Sequence, residues 1–247
     1  RDAAARLAYE YAYPQAGSIR SKYSVSSLNE KAHQILLNKT GEEGEEPEPD
    51  LNPEEEAPVI RLAQPRFMDG EKRITAAERG TIYHGIMERI DFGRAEREGM
   101  DYLEAAAEDF VKDGIFLEEE LAAVDLRNVR NFFCTDLGKR CADAFRRGEL
   151  FREQPFNLKS RLEGEEIIVQ GIIDCFFLEG EKAVLLDYKT NWIDPDRPFE
   201  QEAERLRSVY GEQIRLYREA LTKALGVPVD EAYLYLFSAE REIEIWN

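Results

Sequence analysis

Three strand-like segments joined by two identical short turns constrain the fold of this chain most. The segments cover residues 151–161, 167–178 and 183–190, and each turn reads Leu-Glu-Gly-Glu, at residues 162–165 and 178–181. Glu-Gly between apolar runs is typical of a tight hairpin. The pattern therefore predicts a three-stranded antiparallel meander, in which the length of each loop decides which residues lie opposite each other.

Helical patterns lie before and after this meander, and two further strand-like segments close the chain. Because the central strands are apolar on both faces, helices are expected on both sides of them. We therefore predict an α/β fold with a mixed β-sheet flanked by helices and an N-terminal helical region. Capping-box patterns at Ser27 and Thr75 mark the first two helices. The predicted helices cover residues 27–37, 75–90, 102–147 with breaks near Gly114 and Asp136, and 200–225, and the closing strands cover residues 232–237 and 243–246.

Charge is unevenly distributed along the chain. The formal net charge is -18, and residues 41–58 hold nine acidic residues and no basic residue. A Pro- and Gly-punctuated acidic run with few apolar residues is typical of a disordered linker, although an acidic interaction segment has the same composition. The predicted organisation is a connector with a short helix at 1–40, an acidic linker at 41–60, and a folded domain at 61–247 that is helical to residue 148 and contains the sheet from residue 149.

Several classes of site and location are not expected. Cys134, Cys141 and Cys175 form no CxxC pair, which argues against a structural zinc or iron–sulfur site and fits a reducing, cytoplasmic compartment. No apolar run approaches about 18 residues, so no membrane segment is expected. The sequence has no G-x-x-x-x-G-K-[ST] motif, so no ATP site is expected. Because the chain begins with Arg1, we expect it to be a fragment of a longer chain.

A carboxylate and an ammonium group end the third strand-like segment, in the stretch VLLDYKTN. Asp187 and Lys189 point to the same side of a strand because strand side chains alternate. A loop of residues 180–181 sets Asp174 directly opposite Asp187, whereas a loop of residues 179–180 makes the two diagonal neighbours. Both alternatives place the two carboxylates on one face of the sheet.

The first hairpin extends this argument to Glu153. A loop of residues 163–164 puts Glu153 opposite Asp174, and the neighbouring loop choice makes them diagonal. An odd-length loop or a bulge would break the pattern. With either even-length loop, Glu153 and Asp174 share a face with Asp187 and Lys189.

Three carboxylates on one face repel each other, and a divalent cation removes that repulsion. Mg²⁺ prefers oxygen ligands, polarises a phosphoryl oxygen and activates water. A lysine beside it can orient or help to deprotonate the nucleophile, or stabilise charge on the phosphate. The residues therefore indicate metal-dependent phosphodiester hydrolysis, and a structural Asp–Lys pair at a strand end is the alternative.

Several stretches of the chain, in the same order, resemble motifs of the PD-(D/E)XK nucleases. Their active-site pair, the GxxxH and QxxxY elements of the RecB-type branch, and the segment that introduces the nuclease module in the AddA family of bacterial helicase–nucleases all have counterparts. The resemblance covers most of residues 22–247. The matching stretches are GIIDCFF (171–177) with LLDYKTN (185–191), ERGTIYH (78–84), QIRLY (213–217) and YSVSSLNE (23–30).

The resemblance implies a restriction-endonuclease-like fold and a DNA nuclease, exonuclease or endonuclease, that uses Mg²⁺, with Mn²⁺ or Ca²⁺ able to occupy the site. From the residues alone, a single helix histidine is more often structural, and a Gln–Tyr pair four residues apart is ordinary helix packing. By position, the resemblance implies that the metal ligands are His84, Asp174, Asp187 and the backbone carbonyl of Tyr188. The implied catalytic residues are Asp174, Asp187, Lys189 and the acidic Glu153. The residues implied to bind DNA or to order the site are Gln213 and Tyr217.

The resemblance also implies a biological setting. It implies a domain of an AddA-like helicase–nuclease that processes double-strand breaks for recombinational repair in the bacterial cytoplasm. Its partners would be DNA, delivered as a single strand by a helicase motor, the rest of an AddA-like chain, and an AddB-like subunit. Some relatives hold an iron–sulfur cluster on four cysteines, which this sequence lacks. A catalytically inactive docking or DNA-end-sensing module and a standalone RecB-type exonuclease are the alternatives.

A locally basic helical region ahead of the sheet is a candidate DNA face, and a solvated helix surface explains it as well. The acidic charge elsewhere predicts that the domain cuts DNA but binds it weakly. The basic residues of this region are Arg127, Arg130, Lys139, Arg140, Arg146 and Arg147.

Overall fold

The computed structural model describes residues 22–29, 74–162, 165–194 and 196–246, and the predicted acidic linker lies outside these ranges. The described residues form an α/β fold with one six-stranded mixed sheet flanked by helices, as predicted. The helices are α1 (Ala76–Arg89), α2 (Phe92–Glu98), α3 (Met100–Lys112), α4 (Glu118–Ala122), α5 (Leu126–Phe132), α6 (Asp136–Arg147) and α7 (Phe199–Leu225). The strands are β1 (Lys22–Ser24), β2 (Leu150–Leu162), β3 (Glu165–Glu179), β4 (Lys182–Lys189), β5 (Val229–Leu236) and β6 (Arg241–Trp246).

The sheet is organised around β3, which is 15 residues long. β2 pairs with it antiparallel from Leu150–Phe177 to Leu162–Glu165 and so occupies one edge. The other edge is shared by β1, which is parallel to β3, and by β4, which is antiparallel to it. β4 then pairs parallel with β5, and β5 pairs antiparallel with β6. The sheet is therefore mixed, with two strands side by side along one edge of β3.

The registers confirm one of the two loop choices in each hairpin. Glu179 pairs with Lys182, which leaves residues 180–181 as the β3–β4 loop. Leu162 pairs with Glu165, which leaves residues 163–164 between β2 and β3. The β3–β4 ladder ends at the pair formed by Cys175 and Leu186, one step before Asp174 would face Asp187.

Two hydrophobic cores cover the two faces of the sheet. The α7-side core contains α7, and the α1-side core contains the helices of residues 76–147. In β3, Val169 and Ile173 pack into the α7-side core, and so does Phe176, whereas Cys175 and Phe177 pack into the α1-side core. The alternation of side chains therefore shifts by one residue at Asp174, and a shift of one residue moves side chains to the opposite face.

One of the two predicted N-caps is confirmed and the other is wrong. Thr75 and Glu78 form the predicted capping box of α1. The predicted N-cap at Ser27 is wrong, because helical residues begin at residue 25 and the Ser24 hydroxyl accepts the hydrogen bond of the Ser27 N–H at 3.1 Å. A serine at either position suits an N-cap, and the pairing of β1 with β3 as far as Ser24 places the start of the helix at residue 25.

The segment 22–29 lies on the sheet, inside the stretch expected to be a connector. Tyr23 pairs with Val169, and the fully buried Val25 follows it. Gly171 of β3 allows this close approach, since a Cβ on that residue would stand 2.8 Å from a methyl carbon of Val25. The segment therefore forms part of the α7-side core.

The longest described helix is α7, with 27 residues, and it ends at Gly226 in the left-handed conformation, where the sequence predicts a stop. Among the described residues, no helix combines the length and the apolar composition that a bilayer span requires.

Candidate active site

The candidate site lies where β3 changes its partner along one edge. β1 pairs with β3 as far as Gln170, and β4 pairs with it from Cys175 onward. Asp174 borders the gap between these two strands. β4 runs past the gap to Lys189, paired on its other edge with β5. We call the gap between β1 and β4 the fork. Side chains from both faces of the sheet can reach this gap.

Three potential metal ligands converge at this fork: His84 from α1, Glu153 from β2 and Asp174 from β3. One ligand atom of each lies within 4.8 Å of the other two. Nδ1 of His84 stands 3.4 Å from Oδ2 of Asp174 and 3.9 Å from Oε1 of Glu153. We call these three residues the His84 cluster. They supply the imidazole nitrogen and carboxylate oxygens that divalent cations such as Mn²⁺ and Mg²⁺ accept.

The backbone of Tyr188 orients two members of this cluster. Nε2 of His84 lies 3.1 Å from the Tyr188 carbonyl oxygen, and the Tyr188 N–H donates to Oδ2 of Asp174 at 2.9 Å. A carbonyl oxygen only accepts hydrogen bonds, so the contact is a hydrogen bond in the tautomer with the proton on Nε2, and that tautomer turns the lone pair of Nδ1 toward the two carboxylates. Holding one ring nitrogen in this way is how proteins commonly orient a metal-binding histidine.

Glu153 is held in an unusual backbone conformation beside another carboxylate. Its φ of 48° lies in the left-handed region, and it is skipped in the β2–β3 ladder, whose register is the same on both sides of it. Burial raises the pKa of Glu153 to about 8, and the charges of Asp174 and Glu88 add to the shift. A strained residue with such a pKa is typical of a functional site. A bound cation would relieve this repulsion, so the donor set fits a divalent metal.

A second group lies against α7. Nζ of Lys189 stands 3.0 Å from Oδ2 of Asp187, and both side chains are buried. Gln213 donates from Nε2 to the Tyr217 hydroxyl at 3.0 Å and lies 3.4 Å from Oδ1 of Asp187. The charges of Asp187 and Asp174 raise the pKa of Tyr217, after the larger effect of burial. We call Asp187 and Lys189 the Lys189 pair.

The predicted sharing of one sheet face by all four charged residues is wrong. Asp187 contacts Gln213 of α7, whereas Asp174 contacts His84 of α1, which packs on the opposite face. The reason is the shift of side-chain alternation at Asp174 together with the end of the β3–β4 ladder. The two groups meet at the fork instead, because the backbone N–H that donates to Asp174 belongs to Tyr188, the residue between Asp187 and Lys189.

Four further residues contact or lie near the predicted site residues, and two of them, Asn29 and Asn191, fall within the stretches that resemble nuclease motifs. The Asn29 side chain accepts a hydrogen bond from the Gln213 N–H at 3.2 Å, although 184 positions separate the two residues. The Tyr210 ring lies 4.5 Å from Nζ of Lys189, and its hydroxyl donates to Asn191 at 2.9 Å. Glu88 follows His84 by one helical turn, so helical spacing could have identified it.

The basic helical region is largely engaged with the protein's own acids. Arg127 pairs with Asp125, and Arg146 pairs with Glu96 and Asp143. The remaining ion pairs of this region are Lys139–Asp136, Arg140–Glu179, Arg140–Glu231 and Arg147–Glu149. This pattern favours a solvated helix surface over a DNA face.

Curated relatives match nearly the whole chain, and each is named as the A component of an ATP-dependent helicase/nuclease. The one from Clostridium perfringens (strain 13 / Type A) is 34% identical over 97% of this chain and 19% of its own length. Its counterpart from Clostridium botulinum (strain Loch Maree / Type A3) is 32% identical over 97% of this chain and 18% of its own length. That of Acetivibrio thermocellus is 30% identical over 96% and 18%. The chain thus spans about a fifth of the length of these relatives.

A family comparison covers both charged groups of the fork. Residues 59–244 match the PD-(D/E)XK nuclease superfamily, a range that includes α1, the whole sheet from β2 to β5, and α7. The match therefore contains every predicted site residue, from His84 to Tyr217. This chain belongs to the PD-(D/E)XK nuclease superfamily.

Proposed function

We propose that this DNA nuclease domain is Mg²⁺-dependent and cuts phosphodiester bonds at the fork beside Asp174. The observation that carries the proposal is the convergence of the His84 cluster next to the buried Lys189 pair. Mostly oxygen donors at a partly open position suit a hard cation, and Mn²⁺ or Ca²⁺ fits the same donors. Superfamily membership supplies the reaction class, and the donor set supports the choice of metal.

The ligands would come from both sides of the fork. His84, Glu153 and Asp174 would hold the cation from the α1 side, and Asp187 with the carbonyl of Tyr188 would complete the set. When bound, the metal supplies Lewis acidity for the phosphoryl oxygen and a lowered pKa for an attacking water. The protein's own contribution is to hold these donors rigidly.

Lys189 is the proposed catalytic lysine. Burial and the contact with Asp187 hold its ammonium group at the end of β4, where it can orient the attacking water or stabilise charge on the phosphate. Gln213 and Tyr217 keep Asp187 in place through their shared hydrogen bond. Asp187 would therefore contact both the Lys189 ammonium group and the proposed metal.

Digestion of single-stranded DNA with Mg²⁺ tests the proposal. We expect the chain to degrade the DNA and Asp187→Ala to reduce the rate at least about 100-fold, because a proposed metal ligand and the partner of Lys189 are lost together. Asp230→Ala is the matched control, because it removes a carboxylate from the same sheet near the start of β5, where it pairs with Lys182. Equal products from the wild-type chain and Asp187→Ala would reject catalysis at this site.

The same digestion separates the alternative functions. An inactive docking or DNA-end-sensing module would give no Mg²⁺-dependent product with the wild-type chain. The buried Lys189 pair argues against that alternative, since a scaffold gains nothing from charges that are costly to bury. Circular single strands distinguish the two kinds of cutting, because an exonuclease leaves them intact and an endonuclease does not.

We further propose that the domain works within a cytoplasmic AddA-like helicase–nuclease in double-strand-break repair. The helicase/nuclease relatives, about five times as long as this chain, support that setting. A motor elsewhere in such a chain would deliver single-stranded DNA, and its partner would be an AddB-like subunit. Co-purification of the full-length chain with its AddB-like partner, and loss of repair with Asp187→Ala in the cell, would test this.

A further inference from the structure

The most exposed large apolar side chain among the described residues lies beside the candidate active site. Trp192 is 69% exposed, against 42% or less for the other exposed large apolar side chains. It follows Lys189 by three residues, so the two lie within about 10 Å of each other even if the chain is fully extended. Trp192 therefore stands within reach of a strand that enters the fork.

The residues on either side of Trp192 are held to the protein. Asn191 accepts a hydrogen bond from the Tyr210 hydroxyl at 2.9 Å and another from Ser238. Ile193, on the other side, packs against the α7-side core. Thr190 lies close to α1, since a Cβ on Gly80, one turn before His84, would stand 3.4 Å from the Thr190 hydroxyl oxygen. The loop thus fixes the backbone of Trp192 and leaves its ring in solvent, which lowers the entropic cost of binding a ligand on that ring.

The negative charge of the chain favours a contact with DNA that does not depend on ion pairs with phosphates. The chain carries a net charge of -18, and Arg197, the basic residue nearest in sequence beyond Trp192, pairs with Asp194 and Glu202. Arg197 is therefore engaged with the protein's own carboxylates. Stacking of bases on aromatic rings binds single strands without opposite charge, and it requires bases that are not already stacked in a duplex.

We propose that Trp192 stacks on a base of single-stranded DNA and holds the strand at the mouth of the fork. The proposal rests on the proposed nuclease function and adds to it a residue that contacts the bases of the unpaired strand. It makes Trp192 a positioning residue, which acts on the strand beside the scissile bond and not on the bond itself.

Fluorescence titration in EDTA tests the contact without any cleavage. We expect single-stranded oligonucleotides to quench the emission of Trp192, and abasic oligonucleotides of the same length and charge to quench it much less. Trp192→Phe removes this emission and leaves Trp246 as the internal reference. Equal quenching by the two oligonucleotides, or none by either, would overturn the proposal, whether or not the chain cuts DNA.

Cleavage kinetics with Mg²⁺ give the matching functional result. We expect Trp192→Ala to raise KM for single strands about 5- to 100-fold with little change in kcat, and Trp192→Phe to retain part of the affinity. The increase should vanish on abasic strands and should vary little with salt, unlike a phosphate contact. Ile115→Ala, at another exposed apolar residue, is the control and should match the wild type.

An equal effect of Trp192→Ala on normal, abasic and duplex substrates would show that the ring does not read bases and would reject the stacking contact. A wild-type chain that fails to cut any DNA would reject the nuclease proposal instead, and the titration would still decide whether Trp192 binds bases.

Discussion

The sheet carries a buried or half-buried charged cluster at each end of β4, and the two clusters differ in how their carboxylates are compensated. At the start of β4, Arg140 lies between Glu179 and Glu231, with closest contacts of 2.7 Å to each. Arg140 lowers the pKa of Glu231. We call these three residues the Arg140 cluster. The protein itself supplies the cation that compensates the acids of this cluster.

At the far end of β4, the carboxylates outnumber the basic groups that compensate them. Lys189 is paired with Asp187, and the nearby carboxylates of Asp174 and Glu153 stand next to each other. Instead of being lowered, the pKa of Glu153 is raised to about 8. Acidic side chains of the sheet thus form a self-contained clamp with Arg140 at one end of β4 and a site that is short of positive charge at the other. Both ends of β4 carry acidic residues, so their presence alone does not mark the proposed metal site. The excess of negative charge at the far end does.

Replacing the basic residue of each cluster should give the largest difference in stability between the two ends of β4. Without metal, Lys189→Met should lower the free energy of unfolding by about 3–5 kcal/mol, because it leaves the fully buried Asp187 without its ion pair. Arg140→Met should cost only about 1–2 kcal/mol, since Glu179 and Glu231 are about a third exposed and can be hydrated. Urea denaturation in EDTA measures both, and equal losses would remove the distinction between the ends.

Divalent cations should stabilise only the site that is short of positive charge. At a Ca²⁺ concentration 100 times the dissociation constant, the wild-type chain should gain about 2.7 kcal/mol, or roughly 5–10 °C in Tm. Arg140→Met should keep the full gain, whereas Asp174→Asn should lose most of it because a proposed ligand oxygen becomes an amide. Thermal melts with Ca²⁺ and with EDTA check this, and a full gain in Asp174→Asn would place the metal elsewhere.

The smallest expected effect is the dependence of stability on pH. Because the pKa of Glu153 is raised in the folded state, to about 8 from an ordinary value near 4.5, its contribution to stability is present at low pH and is lost as pH rises through about 8. In EDTA, Glu153→Gln should therefore be more stable than the wild type at pH 9, by about 1 kcal/mol after allowance for solvent screening. At pH 5 the two should be nearly equal.

Urea denaturation at the two pH values measures this difference, and Glu231→Gln is the control. The pKa of Glu231 is lowered, so its ionised form stabilises the fold and the substitution should destabilise it at pH 9. A loss of stability in Glu153→Gln at pH 9 would contradict the charge imbalance.

Local patterns in the sequence were enough to predict most of the fold. The two Leu-Glu-Gly-Glu turns predict the hairpins and leave two choices of register for each, between which the structure decides. The Thr75 capping box and the Gly226 stop determine helix ends through backbone hydrogen bonds formed within a few residues. Asp187 lies beside Lys189, and Gln213 beside Tyr217, for similar reasons, because strand alternation and one helical turn act over short distances. The contact between the two pairs depends on the packing of α7 on the sheet.

The arrangement of the site around those residues was decided only by the tertiary structure. Glu153 leaves the β2–β3 ladder at φ 48°, and Asp174 shifts the alternation of β3, so the carboxylates meet across a fork and not on one face. The segment 22–29 takes one edge of β3 and brings Asn29 to Gln213, 184 positions away. Turn and cap chemistry acts within a few residues and can be read from the sequence, whereas strand edges, burial and the resulting charge imbalance depend on contacts between segments that are distant in the chain.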